Sequence, residues 1–323
     1  MMKRFFTVIL SVVFIALLIP LAVVEIMKNT IDNTKPFESP ETAQSIKVYV
    51  KQKDEVCDMD IFKYLTGVVA AEMPSDFEKE AMKAQAVAAR TYLYAHTYEK
   101  ASGNESEEHK GVAVCTDSTH CQAWVSEKDF GGTKEAWNKI CSAVKETSGE
   151  IMTYKKKPIS AVFFSTSSGQ TENAEDVWGK KIPYLKSVKS EGDELSPRYK
   201  SEENISTEDF KKKAEEKLDG IDWEKELFGN IKRSESGGIK TIEIGGKEIK
   251  GTELRSIYNL RSTNAVLEEK DGNVTFSVKG FGHNVGMSQY GANYMAAQGK
   301  DYKKILNRYY TGIKIETLQL LRN

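Results

Sequence analysis

Asp60–Pro74 reads D-I-F-K-Y-L-T-G-V-V-A-A-E-M-P, and its apolar spacing sets both the first helix and the first candidate for chemistry. Ile61, Leu65, Val68 and Val69 fall at i, i+4, i+7 and i+8, and Glu72 continues the stripe at i+11. A carboxylate therefore occupies a position that a helix pattern reserves for the core. Asp60 can act as the N-cap, and Pro74 disfavours the α conformation at Met73, so the helix should stop near Glu72. That puts the carboxylate at the negative end of the helix dipole. Burial and dipole both favour the protonated acid, and a carboxylic acid held neutral is what general-acid cleavage of a glycosidic bond needs. On pattern alone, a glutamate that only caps or snorkels at a helix end is the alternative.

Downstream, a second helix is expected from about Phe77 to Glu99, with Ala81, Ala84, Ala88 and Ala95 along one side. Such small residues let another backbone approach closely, the mark of a core helix. Arg90 lies in this alanine-rich segment, where an unpaired guanidinium is costly; it should reach a carboxylate or a cleft unless it sits on a solvated outer face.

Upstream, Phe5–Val24 is uncharged and follows Lys3 and Arg4. At about 20 residues it is long enough to span a bilayer. No small-residue cleavage site follows, which favours an uncleaved anchor. The expected organisation is a cytoplasmic N-terminus at 1–4, an anchor at 5–27, a polar proline-containing tether at 28–45, and an extracytoplasmic domain at 46–323. The chain has 323 residues with 46 basic and 47 acidic side chains, so no net field points to nucleic acid as a partner.

In that domain, Lys47–Val50 reads as a strand and Ser102–Lys110 as a surface loop. Hairpins are expected at Ile151–Thr153 with I-S-A-V-F-F, and at I-K-T-I-E-I-G-G-K-E-I-K, whose Gly-Gly is a turn signal. N-V-T-F-S-V-K-G is a further strand, and Ser288–Gln298 and Tyr302–Tyr309 are helical. Lys200–Ile231 is highly charged with helical spacing and is read as part of a peripheral lobe at about 195–235. The expected class is α+β, with helices packed on mainly antiparallel, hairpin-built strands.

Three more segments could carry chemistry. G-F-G-H-N-V-G-M-S-Q-Y-G-A (Gly280–Ala292) surrounds His283 with glycines, which brings backbone close to another segment or a ligand. F-S-T-S-S-G-Q-T-E (Phe164–Glu172) offers hydroxyls and an amide suited to sugar hydroxyls. Cys115 and His120 are a thiolate and an imidazole suited to zinc. With only a partial ligand set in that one stretch, any metal site should be open, and a disulfide among Cys115, Cys121 and Cys141 or ordinary buried thiols compete with it.

V-V-A-A-E-M-P, K-A-Q-A-V-A-A-R-T-Y, F-S-T-S-S-G-Q-T-E and G-F-G-H-N-V-G-M-S-Q-Y-G-A, in that order, resemble the stage II sporulation protein D family. These are membrane-anchored peptidoglycan lytic transglycosylases of endospore formers. The resemblance implies Glu72 as catalytic acid and base. It implies Arg90, Ser165, Thr166, Ser168, Gln170, His283, Ser288, Gln289 and Tyr290 as substrate-binding residues, and zinc on Cys115 and His120 as in some clostridial relatives. It also implies peptide-denuded glycan strands as substrate during forespore engulfment, with stage II sporulation proteins P and M as membrane partners. Where the family loop often reads G-H-G-V-G-M-S-Q, this chain has Asn284 after His283. The same domain family includes amidase enhancers, so a glycan-binding, non-cutting role is the rival.

Overall fold

The structure, a computed structural model, describes residues 45–101 and 109–318. The expected anchor and nearly all of the tether lie outside them, as does most of the loop at Ser102–Lys110. Among the described residues no helix is long and apolar enough to cross a membrane.

The chain opens with an antiparallel hairpin, β1 (Ser45–Val50) and β2 (Glu55–Asp60). Asp60 then caps α1 (Ile61–Glu72), its carboxylate accepting from the Lys63 amide at 2.9 Å. The stripe of Ile61, Leu65, Val68 and Val69 is buried, and Met73 leaves the helix in an extended conformation before Pro74. α2 (Lys79–Ala101) runs through the middle of the main core, with Ala81, Ala84, Ala88 and Ala95 all buried. It packs on α1, on α3 (Lys134–Glu146), on β4 (Glu150–Tyr154), and on the late helices α7 (Gln289–Ala297) and α8 (Tyr302–Tyr309). The alanine stripe is what lets so many elements share one helix.

Short strands close the layer around it. β3 (Val114–Cys115) joins β1 in parallel, β5 (Lys157–Pro158) and β14 (Lys314–Thr317) flank β4 antiparallel, and β6 (Phe163–Phe164) pairs in parallel with β13 (Met287–Ser288). After the short helix α4 (Ala174–Trp178) the chain builds a second hydrophobic cluster. This comprises β7 (Lys200–Ser206), α5 (Thr207–Glu215), the meander of β8 (Phe228–Arg233), β9 (Ile239–Ile244) and β10 (Lys247–Lys250), α6 (Gly251–Ile257), and the hairpin of β11 (Ala265–Lys270) and β12 (Asn273–Lys279). Phe210, Tyr258 and Phe276 stack at its centre.

The class is α+β, with antiparallel pairing dominant. The helical reading of Lys200–Ile231 is corrected: Lys200–Ser206 is the strand β7, and the helix is confined to Thr207–Glu215. β7 carries one aliphatic residue, Ile205, and is held by its ladder to β12 (Ile205 opposite Val274), a backbone cause with no side-chain periodicity to read.

Candidate functional site

The site is a cleft of ≈ 1020 Å³ lined by the end of α1 and the segment 118–123, by β6 and its approach, by the glycine loop, and by Trp178, Arg198 and Arg255. Glu72, Ser165, His283, Gln289 and Tyr290 all face it. Among the described residues that line it, Glu72 is the single carboxylate.

Glu72 is held by two donors. The Ala123 amide donates to Oε1 at 2.8 Å, and Gln289 Nε2 donates to Oε2 at 3.4 Å. Burial raises its pKa above the ordinary carboxylate value, the two hydrogen bonds opposing that shift without cancelling it. The acid can therefore hold a proton, and its conjugate base finds partners waiting.

The Ala123 amide reaches Glu72 because Gly67 lets its segment lie flush on α1. A Cβ at Gly67 would sit 2.2 Å from Trp124 Nε1 and 2.5 Å from the Val125 carbonyl oxygen. The Val125 amide also donates to the Gly67 carbonyl at 3.2 Å. In Asp60–Pro74, then, the glycine shapes the site as much as the glutamate does.

The two downstream motifs zip together. Met287 and Ser288 pair with Phe163 and Phe164, while Phe281 bridges Thr166 and Val285 bridges Glu172. Gly286 (φ 80°) is required here, since a Cβ would fall 2.2 Å from the Val162 carbonyl oxygen. Asn284, where the family pattern has glycine, adopts a left-handed φ of 64°, a conformation asparagine tolerates. His283 packs between Phe164 and Trp178, at ring-centroid distances of 5.6 and 5.3 Å. Its Nδ1 accepts the Val285 amide at 3.2 Å. Burial, with help from the Arg255 charge, pushes its pKa down to about 4, so the ring is neutral at neutral pH.

Other residues implied by the motifs lie elsewhere. Arg90 is fully buried and does not line the cleft; its guanidinium donates to the Val144 carbonyl at 3.2 Å and the Glu150 carbonyl at 3.4 Å, near the C-terminus of α3. That placement braces the core. Thr166 is buried and donates to Ser196 Oγ at 2.9 Å, Ser168 faces the Ser236 carbonyl at 3.4 Å, and Gln170 Nε2 donates to Ser187 Oγ at 2.8 Å. Ser288 is buried, caps α7 and donates to Asp193. Asp193, absent from any motif, is a buried carboxylate that also collects Ser167 and Ser190 and so ties the two loops together. Its pKa is raised by burial.

At the edge of the cleft His109, Cys115, His120 and Cys121 converge, their donor atoms all within 4.8 Å of one another. Cys121 Sγ lies 3.3 Å from His109 Nε2, which is 3.2 Å from His120 Nδ1, and Cys115 Sγ lies 3.8 Å from His120 Nε2. A tetrahedral ion with bonds of about 2.0–2.3 Å sets its donors about 3.3–3.8 Å apart, and two thiolates with two imidazoles are a zinc-type set. The residues fit a metal ion. His109, near the end of a segment read as a surface loop, and Cys121 stand beside Cys115 and His120, so four candidate ligands converge where the sequence pointed to two. All four cysteines are free thiols. Sequence reasoning also missed Trp178, Arg198 and Arg255, which no motif or short-range spacing marks, and Phe281, which lies in the glycine-rich motif but was not singled out.

Comparison with known proteins places the chain in a family. The family described as Stage II sporulation protein matches residues 49–154. Stage II sporulation protein D of Bacillus amyloliquefaciens is 42% identical over 295 residues, covering 89% of this chain and 83% of that protein. Its counterpart in Bacillus subtilis strain 168 is 38% identical over 311 residues, covering 94% and 89%. An amidase enhancer of Bacillus subtilis strain 168 is 28% identical over 300 residues, covering 77% of this chain and 39% of that protein. The chain belongs to the stage II sporulation protein D family, which acts in sporulation.

Proposed function

We propose that the chain is a lytic transglycosylase that cuts the bond from N-acetylmuramic acid to N-acetylglucosamine in peptidoglycan. The observation that carries this reading is that Glu72 is the lone carboxylate among the described residues that line the cleft. Hydrolytic glycosidases place two carboxyl groups about the scissile bond, one to activate water or attack carbon. A lone acid suits a reaction whose nucleophile is already on the substrate. Protonated Glu72 gives its proton to the glycosidic oxygen as the C1–O bond breaks and the N-acetylglucosamine hydroxyl leaves. The resulting carboxylate, stabilised by the Ala123 amide and Gln289, takes the proton of the muramic acid C6 hydroxyl as that oxygen bonds to C1. The product is a 1,6-anhydro end, and Glu72 regains its proton. Trp178, 44% exposed at the cleft, offers an aromatic face on which the C–H side of a sugar ring can pack.

His109, Cys115, His120 and Cys121 would hold zinc, which with four protein ligands braces the fold and leaves no position for Lewis-acid work. Residues 5–27 would anchor the chain with the domain on the outer side of the membrane, beside stage II sporulation proteins P and M, during forespore engulfment. The amidase-enhancer relative supports a second reading, in which the cleft binds glycan without cutting it. Incubation of the purified full chain alone with peptide-free glycan strands tests the choice: fragments with anhydro ends support the enzyme, and binding without fragments supports the enhancer.

A further inference from the structure

Asp193 is fully buried, and no ion pair identified among the described residues includes it. Four donors converge on its two oxygens: the Ser167 amide at 2.9 Å, the Ser167 hydroxyl at 2.6 Å, and the hydroxyls of Ser190 and Ser288, each at 2.5 Å. Ser190 can donate there because its own oxygen takes the Tyr309 hydroxyl proton at 2.8 Å. Only the ionised carboxylate has a lone pair for each of these donors, and hydrogen bonds to a charged acceptor are the strong ones. The donors also stand in for the water that burial removes.

This cluster lies under the first turn of α7. Ser288 is the N-cap, its oxygen accepting the Gly291 amide at 3.3 Å while its proton goes to Asp193. At Gly291 a Cβ would fall 2.1 Å from the Tyr309 hydroxyl and 2.3 Å from Ser190 Oγ, so the helix seats directly on the cluster. The residue after the cap is Gln289, whose Nε2 donates to Glu72 Oε2 at 3.4 Å. Where that amide group points is set by the turn that Ser288 begins. The Asp193 charge does not itself act on Glu72, whose pKa answers to burial, the Ala123 amide and Gln289. Any influence of Asp193 on the acid has to pass through α7.

Resting on the assignment of Glu72 as acid and base, we propose that Asp193 is a positioning residue for the reaction. Through Ser288 it fixes the first turn of α7, so that Gln289 meets the Glu72 carboxylate when the proton has gone to the leaving oxygen. Its place behind the helix, out of the cleft, keeps it from acting on the substrate directly.

Two measurements on the full chain test this: cleavage kinetics, and carboxyl carbon-13 NMR with the Glu72 signal identified by its absence from Glu72→Gln. Asp193→Asn removes the charge, and Ser288→Ala removes the link while leaving Asp193 its other donors. Each is expected to lower kcat about tenfold with KM nearly unchanged. Loss of a donor to the charged form raises an acid's pKa. The Glu72 titration, and with it the decline of cleavage at high pH, should therefore move up by about half a pH unit or more. Ser288→Thr, which keeps the hydroxyl, should recover most of the loss. Gln289→Met should give the same upward shift, and adding Asp193→Asn or Ser288→Ala to it should shift the titration no further. If Asp193→Asn does not fold, Ser288→Ala alone and with Gln289→Met decides the matter. A parent chain that releases no anhydro ends would sink the enzyme reading, and the NMR titration would still report on Asp193. A Glu72 titration unchanged in Ser288→Ala, or shifts that add in the double variants, would overturn the proposal.

Discussion

The backbone amide of Ala123 donates to Glu72 Oε1 at 2.8 Å, from a segment 51 positions further along the chain. That segment is pinned on both sides of Ala123. Cys121 belongs to the His/Cys cluster, and Trp124 and Val125 lie on Gly67 of α1. The environment of the candidate acid is thus set by its own helix and by a strip of chain that the cluster and the glycine hold in place.

Gly67→Ala tests the strip directly. Alanine favours helix by about 1 kcal/mol over glycine, yet its Cβ would collide with Trp124 and Val125. A net destabilisation on the order of 1–3 kcal/mol is expected, with loss of glycan cleavage as Ala123 is displaced. Thermal melting and product release measure both. A variant more stable than the parent and fully active would show that the strip is not held by this contact.

The metal cluster should persist through purification. Elemental analysis of the full chain is expected to find near-stoichiometric zinc, lost in His109→Ala and Cys121→Ser but kept in Cys57→Ser and Cys141→Ser. Removing the ion should lower the melting temperature and, through Ala123, the activity. Intact mass under non-reducing conditions that is short by two hydrogens per disulfide, with no zinc, would assign these cysteines to a bridge.

Burial raises the Glu72 pKa, which fixes the sign of a pH effect. A raised folded-state pKa contributes stability below the unfolded value, and that contribution is lost as pH rises through the folded value. Glu72→Gln, which has no charge to bury, should therefore melt higher than the parent at neutral pH, the gap closing as pH falls toward the ordinary carboxylate range. Cleavage should likewise decline as pH rises through the raised pKa and the proton is lost. A gap independent of pH between about 4 and 8 would mean that Glu72 titrates normally.

Arg90→Lys is expected to act on stability first. A lysine ammonium cannot span the carbonyls of Val144 and Glu150 that the planar guanidinium reaches. The cost should be on the order of 2–3 kcal/mol by denaturant unfolding, with KM for glycan unchanged in the folded fraction. A KM effect at full stability would return Arg90 to the cleft.

Periodic signals in the sequence carried much of this fold. The stripe ending in Glu72, the alanine face of α2, the Gly-Gly hairpin of β9 and β10, and the helix at Tyr302–Tyr309 all rest on local spacing, and the structure reproduces them. β7 was hidden because a ladder, not side chains, holds it. Among site residues, Glu72, His283, Gln289 and Tyr290 sit in motifs and reach the cleft. Thr166, Gln170 and Ser288 sit in the same motifs but serve the joint between the loops. Residue type marks a hydroxyl as a donor and says nothing of which way it faces. Arg255 and Trp178 were illegible because elements distant in sequence bring them to the cleft, and His109 because it closes a loop without regular spacing.

The most direct measurement is mass spectrometry of the products released from peptide-free glycan strands by the full chain and by Glu72→Gln at neutral pH. The glutamine keeps the shape and the acceptor for Ala123 but has no proton to transfer, so 1,6-anhydro ends should form with the parent and fall at least about a hundredfold with the variant. Anhydro ends released by Glu72→Gln at a rate near that of the parent would contradict the assignment of Glu72 as acid and base.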